Sequence, residues 1–200
     1  LKTVWYSAAR ILGGFFTALT LGTVLGWVAS RFWVVETLLR PITAVIKATP
    51  VASFIILVLL WFSGKNLSVI ISMLMVFPVI YMNVLEGIRS ADEELLEMAQ
   101  VFRLSVSKKL LYIYLPAVAP FFVSACSVSL GLCWKSGIAA EVIGTPDGSI
   151  GAVFYQAKIF LQTSELLAWT VVVVAVSVAF EKLFMLLLRL VLKKLKMEDV

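Results

Sequence analysis

Residues 11–30 read ILGGFFTALTLGTVLGWVAS, an apolar run without a charged side chain. At about 1.5 Å of rise per residue, a helix of this length crosses the roughly 30 Å of hydrocarbon in a bilayer. Open strand edges are not tolerated in lipid, so such a run is expected to be a helix. Four further runs of similar character follow at residues 42–62, 67–84, 110–134 and 166–192. The sequence therefore predicts one all-α domain over residues 1–200, a polytopic membrane bundle with five transmembrane helices.

The composition also indicates that lipid is the solvent of this chain. Hydrophobic residues make up 62% of it and charged residues 14%, against roughly 45–50% and 25% in soluble globular proteins. A soluble fold of this size exposes too much surface to hide that apolar fraction, and disordered chains are polar. The net charge of +5 is therefore attributed to cations on the cytoplasmic side of a membrane and not to nucleic-acid binding.

Residue types exclude two kinds of chemistry. The chain has no histidine, so it has no imidazole metal ligand, catalytic triad or imidazole general base. Cys126 and Cys133 lie two helical turns apart, about 10 Å along the axis, which is too far for a disulfide. We expect both cysteines to be small buried residues.

Lysine and arginine are concentrated in alternate connections between the apolar runs. Residues 86–109 carry four of them and residues 31–47 carry three. Positive charge is retained on the cytoplasmic side. This distribution places the first residues of the chain outside the cell and its carboxyl terminus in the cytoplasm.

Small residues recur at every fourth position of the first run: Gly14, Ala18, Gly22 and Gly26. They share one helix face, on which another helix can approach closely. The pattern predicts a tight helix contact, either inside the bundle or with a second subunit.

Residues 90–103 read SADEELLEMAQVFR and separate the third run from the fourth. Ser90 and Glu93 have the spacing of a capping box, and acidic residues 92–94 suit the positive end of a helix dipole. The pattern predicts a short amphipathic helix over about residues 91–103. By itself it is either a surface helix at the lipid interface or a docking helix for a cytoplasmic partner. Its apolar residues share one face, at i, i+3, i+4 and i+7: Leu95, Met98, Ala99 and Phe102.

A longer pattern that starts in this helix favours docking. Glu97-Met98-Ala99 is followed after three residues by Arg103, and after nine more by Ile113-Tyr114-Leu115-Pro116. This pattern resembles the cytoplasmic signature of ABC importer permeases: Glu-Ala-Ala, three residues, Gly, nine residues and Ile-x-Leu-Pro. Met98 replaces an alanine of the signature, and Arg103 replaces its glycine. Because glycine tolerates a left-handed turn that costs other residues roughly 1–2 kcal/mol, either the turn differs here or Arg103 is strained.

Further segments are similar, in order and spacing, to the nitrate/sulfonate/taurine-type permeases: residues 40–41, 48–52, 60–64, 77–87, 140–144 and 148–151. The resemblance implies the permease subunit of an ATP-driven importer, a multi-pass protein of a prokaryotic inner or plasma membrane. It implies no enzymatic activity. Members of this group usually have one more amino-terminal span, which is not recognised in this chain.

The resemblance also implies the partners: a second, identical permease chain, two ABC ATPase subunits and an extracytoplasmic solute-binding protein. The chain has no G-x-x-x-x-G-K-[ST] loop, so ATP and Mg²⁺ are expected in the ATPase and no cofactor in this chain. The expected cargo is a small anion of the nitrate, sulfonate or taurine kind. Glycine betaine, methionine or a vitamin precursor is the alternative cargo. A stand-alone secondary transporter and a membrane scaffold are the alternative classes, although the paired repeats of many secondary transporters are not visible.

The resemblance assigns Glu97 to polar contact with the ATPase, and Leu95, Ala99 and Phe102 to apolar contact. Arg103 occupies the turn, and the signature ends at Ile113, Leu115 and Pro116. Intramembrane charges are functional candidates, so Lys135 is a candidate for contact with an anionic solute, and Glu141 follows it six residues later. The alternative is that these two neutralise each other or reach the interface. Other pathway candidates, by position alone, are Trp134, Ser136, Tyr81, Asn83 and Trp61.

Overall fold

The computed structural model describes residues 2–194, and within them the chain is helical without strands. A π-helical segment, Leu110–Tyr114, joins α6 to α7. Four stretches are long and apolar enough to cross a membrane: α1, α4, α6 through α7, and α9. The predicted all-α polytopic bundle is therefore confirmed. The helices are α1 (Lys2–Arg31), α2 (Trp33–Ala48), α3 (Val51–Trp61), α4 (Gly64–Arg89), α5 (Glu93–Val101), α6 (Val106–Lys109), α7 (Leu115–Gly144), α8 (Ile150–Ile159) and α9 (Thr163–Lys194).

The small-residue face of α1 packs against α4 inside the bundle. A Cβ added to Gly14 would lie 2.5 Å from the carbonyl oxygen of Val69, and one added to Gly22 would lie 2.9 Å from Ile80. Both contact positions advance in the same direction, so α1 and α4 run parallel. The face predicted to be a tight contact is thus used within the chain.

Helix α7 runs antiparallel to α4 along its whole length. Gly87, near the end of α4, lies against Val118 at the start of α7, and Gly64 lies against Gly144. Helix α9 returns parallel to α1, where the rings of Phe15 and Phe184 meet edge to face at 5.3 Å. We call the two ends of the bundle the α5 end and the α8 end.

The predicted second span over residues 42–62 is wrong as one continuous helix. Two helices, α2 and α3, meet there at 108°. Thr49 and Pro50 between them have extended backbones, with ψ of 133° and 136°. Proline disfavours a helical residue before it and donates no backbone hydrogen bond, so the helix breaks at this point. Because α1 ends at the α5 end and α4 begins at the α8 end, the bent pair carries the chain back between them.

The predicted connection over residues 135–165 is also mostly helical. Helix α7 continues to Gly144, where Thr145 takes a left-handed conformation with φ of 40°. A further helix, α8, fills most of the remainder, packed against α7 and α9. Cys126 and Cys133 are free and buried, as expected.

Candidate functional site

Helix α5 begins two residues later in the acidic segment than the capping-box prediction implies. Asp92 is its N-cap, and its Oδ1 accepts hydrogen bonds from the amides of Glu94 (2.8 Å) and Leu95 (3.4 Å). Ser90 instead ends α4 in a helical conformation, and its hydroxyl donates to the carbonyl of Gly87. The predicted pairing of Ser90 with Glu93 is therefore wrong, because an N-cap residue needs an extended backbone that Ser90 does not have.

The turn after α5 keeps the left-handed geometry in which the signature places glycine. Arg103 has a φ of 51°. Its amide donates to Gln100 at 3.1 Å, and the amide of Leu104 donates to Ala99 at 2.9 Å. This pair of bonds is a Schellman motif, which ends many helices and normally uses glycine at the left-handed position. Of the two alternatives for Arg103, the strained residue is the one observed.

The two ends of the signature meet in a small buried cluster. Ala99 and Ile113 pack together with Ala91, and Leu96 and Leu104 cover them. Ala99 has no exposed surface, so the expectation that it contacts a partner directly is not met. Its methyl group is small enough to let α5 lie on the start of the α7 span. The cluster fixes α5 to the ends of two spans.

The outward side of α5 carries uncovered apolar residues beside carboxylates. We call this the α5 surface and define it by five residues, with Glu97 among them. Glu97 is exposed and forms no hydrogen bond or ion pair within residues 2–194. Val101, which is 78% exposed, was missed by the predicted stripe because that stripe was centred on the buried Ala99. The α5 surface comprises Leu95, Glu97, Met98, Val101 and Phe102.

The end of the signature shapes the entry of the chain into α7. Pro116 is exposed and has no amide hydrogen to donate to Tyr112. The amide of Leu115 bonds instead to Leu110, five residues back, which makes this turn a π-helix. Leu115 lines an apolar cavity together with Ile88.

At the opposite end, Glu141 is buried inside the chain and is held by two other segments. The hydroxyl of Ser7 donates to its Oε2 at 2.6 Å, and the amide of Gly151 donates to the same oxygen at 3.3 Å. The amide of Ile150 donates to Ser7 at 2.9 Å. The carboxylate thus lies at the amino end of α8, where the helix dipole favours negative charge. It joins α1, α7 and α8.

The glycines of the 148–151 segment explain how α8 comes so close to α7. A Cβ on Gly151 would lie 2.2 Å from the carbonyl carbon of Glu141, a distance that no side chain permits. Gly148 has a φ of 77°, which glycine adopts without strain. Ser149 caps α8 by accepting from the amide of Ala152. Ser7 was missed by sequence reasoning because it lies 134 positions from Glu141.

Four of the seven pathway candidates are enclosed by their own chain. Lys135 is exposed and is not paired with Glu141, so the mutual-neutralisation alternative is wrong. Asn83 is partly buried and donates to the carbonyl of Val79. Trp61 is 77% exposed. The enclosed four do not face an open surface in this conformation, so their proposed contact with a solute is not supported: Tyr81, Trp134, Ser136 and Glu141.

The fold and the α5 surface define a class: a polytopic helical membrane protein with a short amphipathic helix seated between two spans. The chain belongs to the family described as binding-protein-dependent transport system inner membrane component, whose model matches residues 18–197. Members are the membrane permeases of ABC importers and are not enzymes. The protein is accordingly a multi-pass inner-membrane protein.

Several curated relatives cover most of this chain. It is 26% identical to the taurine transport system permease protein of Escherichia coli over 90% of the chain and 66% of the relative. It is 24% identical to the bicarbonate transport system permease protein of Synechococcus elongatus, over 94% and 68%. It is 25% identical to the nitrate import permease protein of the same species, over 82% of the chain and 66% of the relative. The chain thus spans about two thirds of the length of these relatives.

One solved structure supports the fold. It is titled as the crystal structure of an amino acid ABC transporter with histidines, and it matches with a TM-score of 0.64. The match covers 94% of this chain and 91% of the other, at 16% identity. At that identity the likeness concerns the arrangement of helices alone.

Proposed function

We propose that this chain is the translocation subunit of an ATP-driven importer and that α5 docks on a separate ABC ATPase. The α5 surface carries this proposal. Phe102 is 71% exposed and Val101 78%, on a helix whose other side is buried against its own chain. Exposed apolar residues rimmed by charges are typical of an interaction site.

Helix α5 is built to transmit force and not only to bind. Three residues separate the end of α4 at Arg89 from its start at Glu93, and Ile113 anchors it to the entry of α7. An Asp92 cap and the Schellman turn at Arg103 hold both ends. A movement imposed on α5 therefore reaches two spans directly, which is what rigid-body switching between inward-open and outward-open states requires.

The orientation follows from the positive-inside rule. The α5 end carries Arg31, Arg89 and Lys108 and lies in the cytoplasm, where the ATPase and its ATP and Mg²⁺ are found. The α8 end then lies outside together with the amino terminus of the chain, within reach of an extracytoplasmic solute-binding protein. A second, identical chain completes the pathway.

The proposed cargo is a small anion of the nitrate, sulfonate, taurine or bicarbonate kind. The transport proteins to which this chain is similar support this class by their names. Lys135 is an exposed cation on α7, the longest helix of the α4–α7 core. No observation favours glycine betaine, methionine or a vitamin precursor over an anion.

Association with the co-expressed ABC ATPase tests the docking proposal. Phe102→Asp places a charge on the α5 surface and should abolish co-purification of the ATPase and ATP-driven uptake. Leu161→Asp is the matched control, because Leu161 is also highly exposed, at 85%, but lies after α8 at the other end. It should leave ATPase association unchanged. Normal association and uptake in Phe102→Asp would overturn the proposal.

A further inference from the structure

A groove between α7 and α9 contains an unusual number of charged groups for a membrane-spanning region. Its volume is about 360 Å³. Ser127 of α7 donates a hydrogen bond to Oε1 of Glu181 at 3.1 Å across it. Lys182 is exposed and has no hydrogen-bond or ion-pair partner within residues 2–194. The groove is lined by Ser127, Glu181, Lys182, Met185, Leu186 and Arg189.

Lys182 lies near the middle of the last apolar run. It is three residues from the centre of the apolar run 166–192, or about 4.5 Å along the axis, whereas half the hydrocarbon thickness is about 15 Å. A lysine side chain extends about 6 Å, so with the run centred in the bilayer the ammonium stays in the hydrocarbon layer. A charge there is costly in lipid and is found facing protein or water. The groove is therefore not a lipid-facing surface.

The neighbouring face of α7 carries polar residues as well as apolar ones. Its most accessible positions recur at four- and seven-residue intervals, which places them on one stripe of the helix. Ser124 and Lys135 belong to this stripe, and Ser127 stands between it and the groove. Within residues 120–135, the remaining side chains of α7 are buried or half-buried. The stripe consists of Pro120, Ser124, Val128 and Lys135.

The opposite side of α9 has a different character. There a cavity of about 660 Å³ is lined almost entirely by apolar side chains, among them Trp5, Val176 and Leu183. That side suits lipid, whereas the side with Lys182 does not. One side of α9 thus faces lipid. The other side is polar, and no part of the chain that the structure describes covers it.

We propose that the α7–α9 groove and the α7 stripe form the wall of an aqueous pathway, in which Lys182 binds a small oxyanion in transit. Lys135, Lys182 and Arg189 contribute three positive charges, and Glu181, bonded to Ser127, contributes one negative charge, which leaves +2. The matching ligand chemistry is a sulfonate, nitrate or bicarbonate group. This inference rests on the proposed function, because the second permease chain of that proposal is what closes the open side of the groove and completes the pathway.

Charged thiol reagents test the pathway without knowledge of the cargo. In a Cys126→Ala, Cys133→Ala background, Ser124→Cys is introduced into the permease assembled with its ATPase in nanodiscs. We expect reaction with membrane-impermeant anionic ethylsulfonate and cationic trimethylammonium methanethiosulfonates, and a faster reaction with the anion. Leu183→Cys on the apolar side is the control and should not react. If neither the Ser124→Cys thiol nor the Leu183→Cys thiol reacts with these reagents, the proposed pathway is overturned.

The role of Lys182 is tested in the same assay. Lys182→Gln should slow the anionic reagent about tenfold relative to the cationic one, the scale expected for one unit charge in a partly screened site. Lys182→Arg should keep the preference. An unchanged preference in Lys182→Gln would overturn the anion site. ATPase co-purification should be normal in both variants, so this failure is distinct from a failure of docking at Phe102.

Discussion

Ser7 and Glu141, 134 positions apart, share a buried hydrogen bond of 2.6 Å that joins the start of α1 to the end of α7. Ser7 simultaneously accepts from the amide of Ile150, and Glu141 accepts from that of Gly151. Three helices are therefore connected through two side chains. The junction fixes α8 at the end of the bundle where the proposed solute-binding protein delivers its cargo.

Ser7→Ala should destabilise the protein by about 1–3 kcal/mol, because it leaves a buried carboxylate oxygen with one weak donor and leaves the Ile150 amide without a partner. Thermal unfolding of the detergent-solubilised protein measures the change. Ser177→Ala is the control, since the Ser177 hydroxyl bonds only to a carbonyl in its own helix. A destabilisation no larger than that of Ser177→Ala would show that the junction adds no stability.

Gly151→Ala should be more damaging than Ser7→Ala. Its new Cβ would lie 2.2 Å from the backbone of Glu141, so α8 must move away from α7. That movement lengthens the two bonds donated by α8, from the Gly151 amide to Glu141 and from the Ile150 amide to Ser7. We expect a loss of folded protein in detergent, measured by size-exclusion chromatography and thermal unfolding. Gly13→Ala is the matched control, because a Cβ added to Gly13 would meet no atom within 4 Å. That change should stabilise α1 by up to about 1 kcal/mol.

The local features of this fold are predictable from the sequence, and the junctions between distant segments are not. The spans of α1, α4 and α9 follow from apolar length alone, because lipid imposes it. The break at Pro50 has a local signal, but its 108° angle depends on α1 and α4 being parallel. Ser7 carries no local pattern at all. Its role arises only when α8 folds back on α1.

The candidate site was predictable to the same extent. The position of α5 between two spans followed from the acidic and apolar pattern, whereas the rotation of α5 that turns Ala99 inward did not. That rotation depends on Ile113 and Leu104, which pack over Ala99 from outside the helix. Lys182 is visible in the sequence as a charge inside the last apolar run, but the groove around it requires Ser127 of α7 as its second wall.

Arg103→Gly should stabilise the turn after α5. Arg103 has a φ of 51°, a region that costs a residue with a Cβ roughly 1–2 kcal/mol and costs glycine nothing. Because the change also removes a charge, Arg103→Ala is the comparison. The glycine variant should be more stable than the alanine variant by about 1 kcal/mol in chemical denaturation. Equal stability would mean that the turn relaxes when the arginine is removed.

Ala99→Leu should uncouple α5 from the bundle while the spans stay folded. Ala99 has no exposed surface, so three additional carbon atoms force α5 away from Ile113; overpacking of this kind costs typically about 1–3 kcal/mol. The side chains of the α5 surface are unchanged, but α5 no longer sits firmly on the bundle. ATPase binding should therefore weaken, and ATP-driven uptake should fall further than binding does.

Gln100→Met is the matched control for Ala99→Leu, because it changes an exposed side chain of the same helix that lies outside the α5 surface. It should leave solute uptake coupled to ATP hydrolysis. The ratio of solute transported to ATP hydrolysed distinguishes the two variants in proteoliposomes. If Ala99→Leu retains the normal ratio, α5 does not need its rigid seat on α7 to pass movement into the spans.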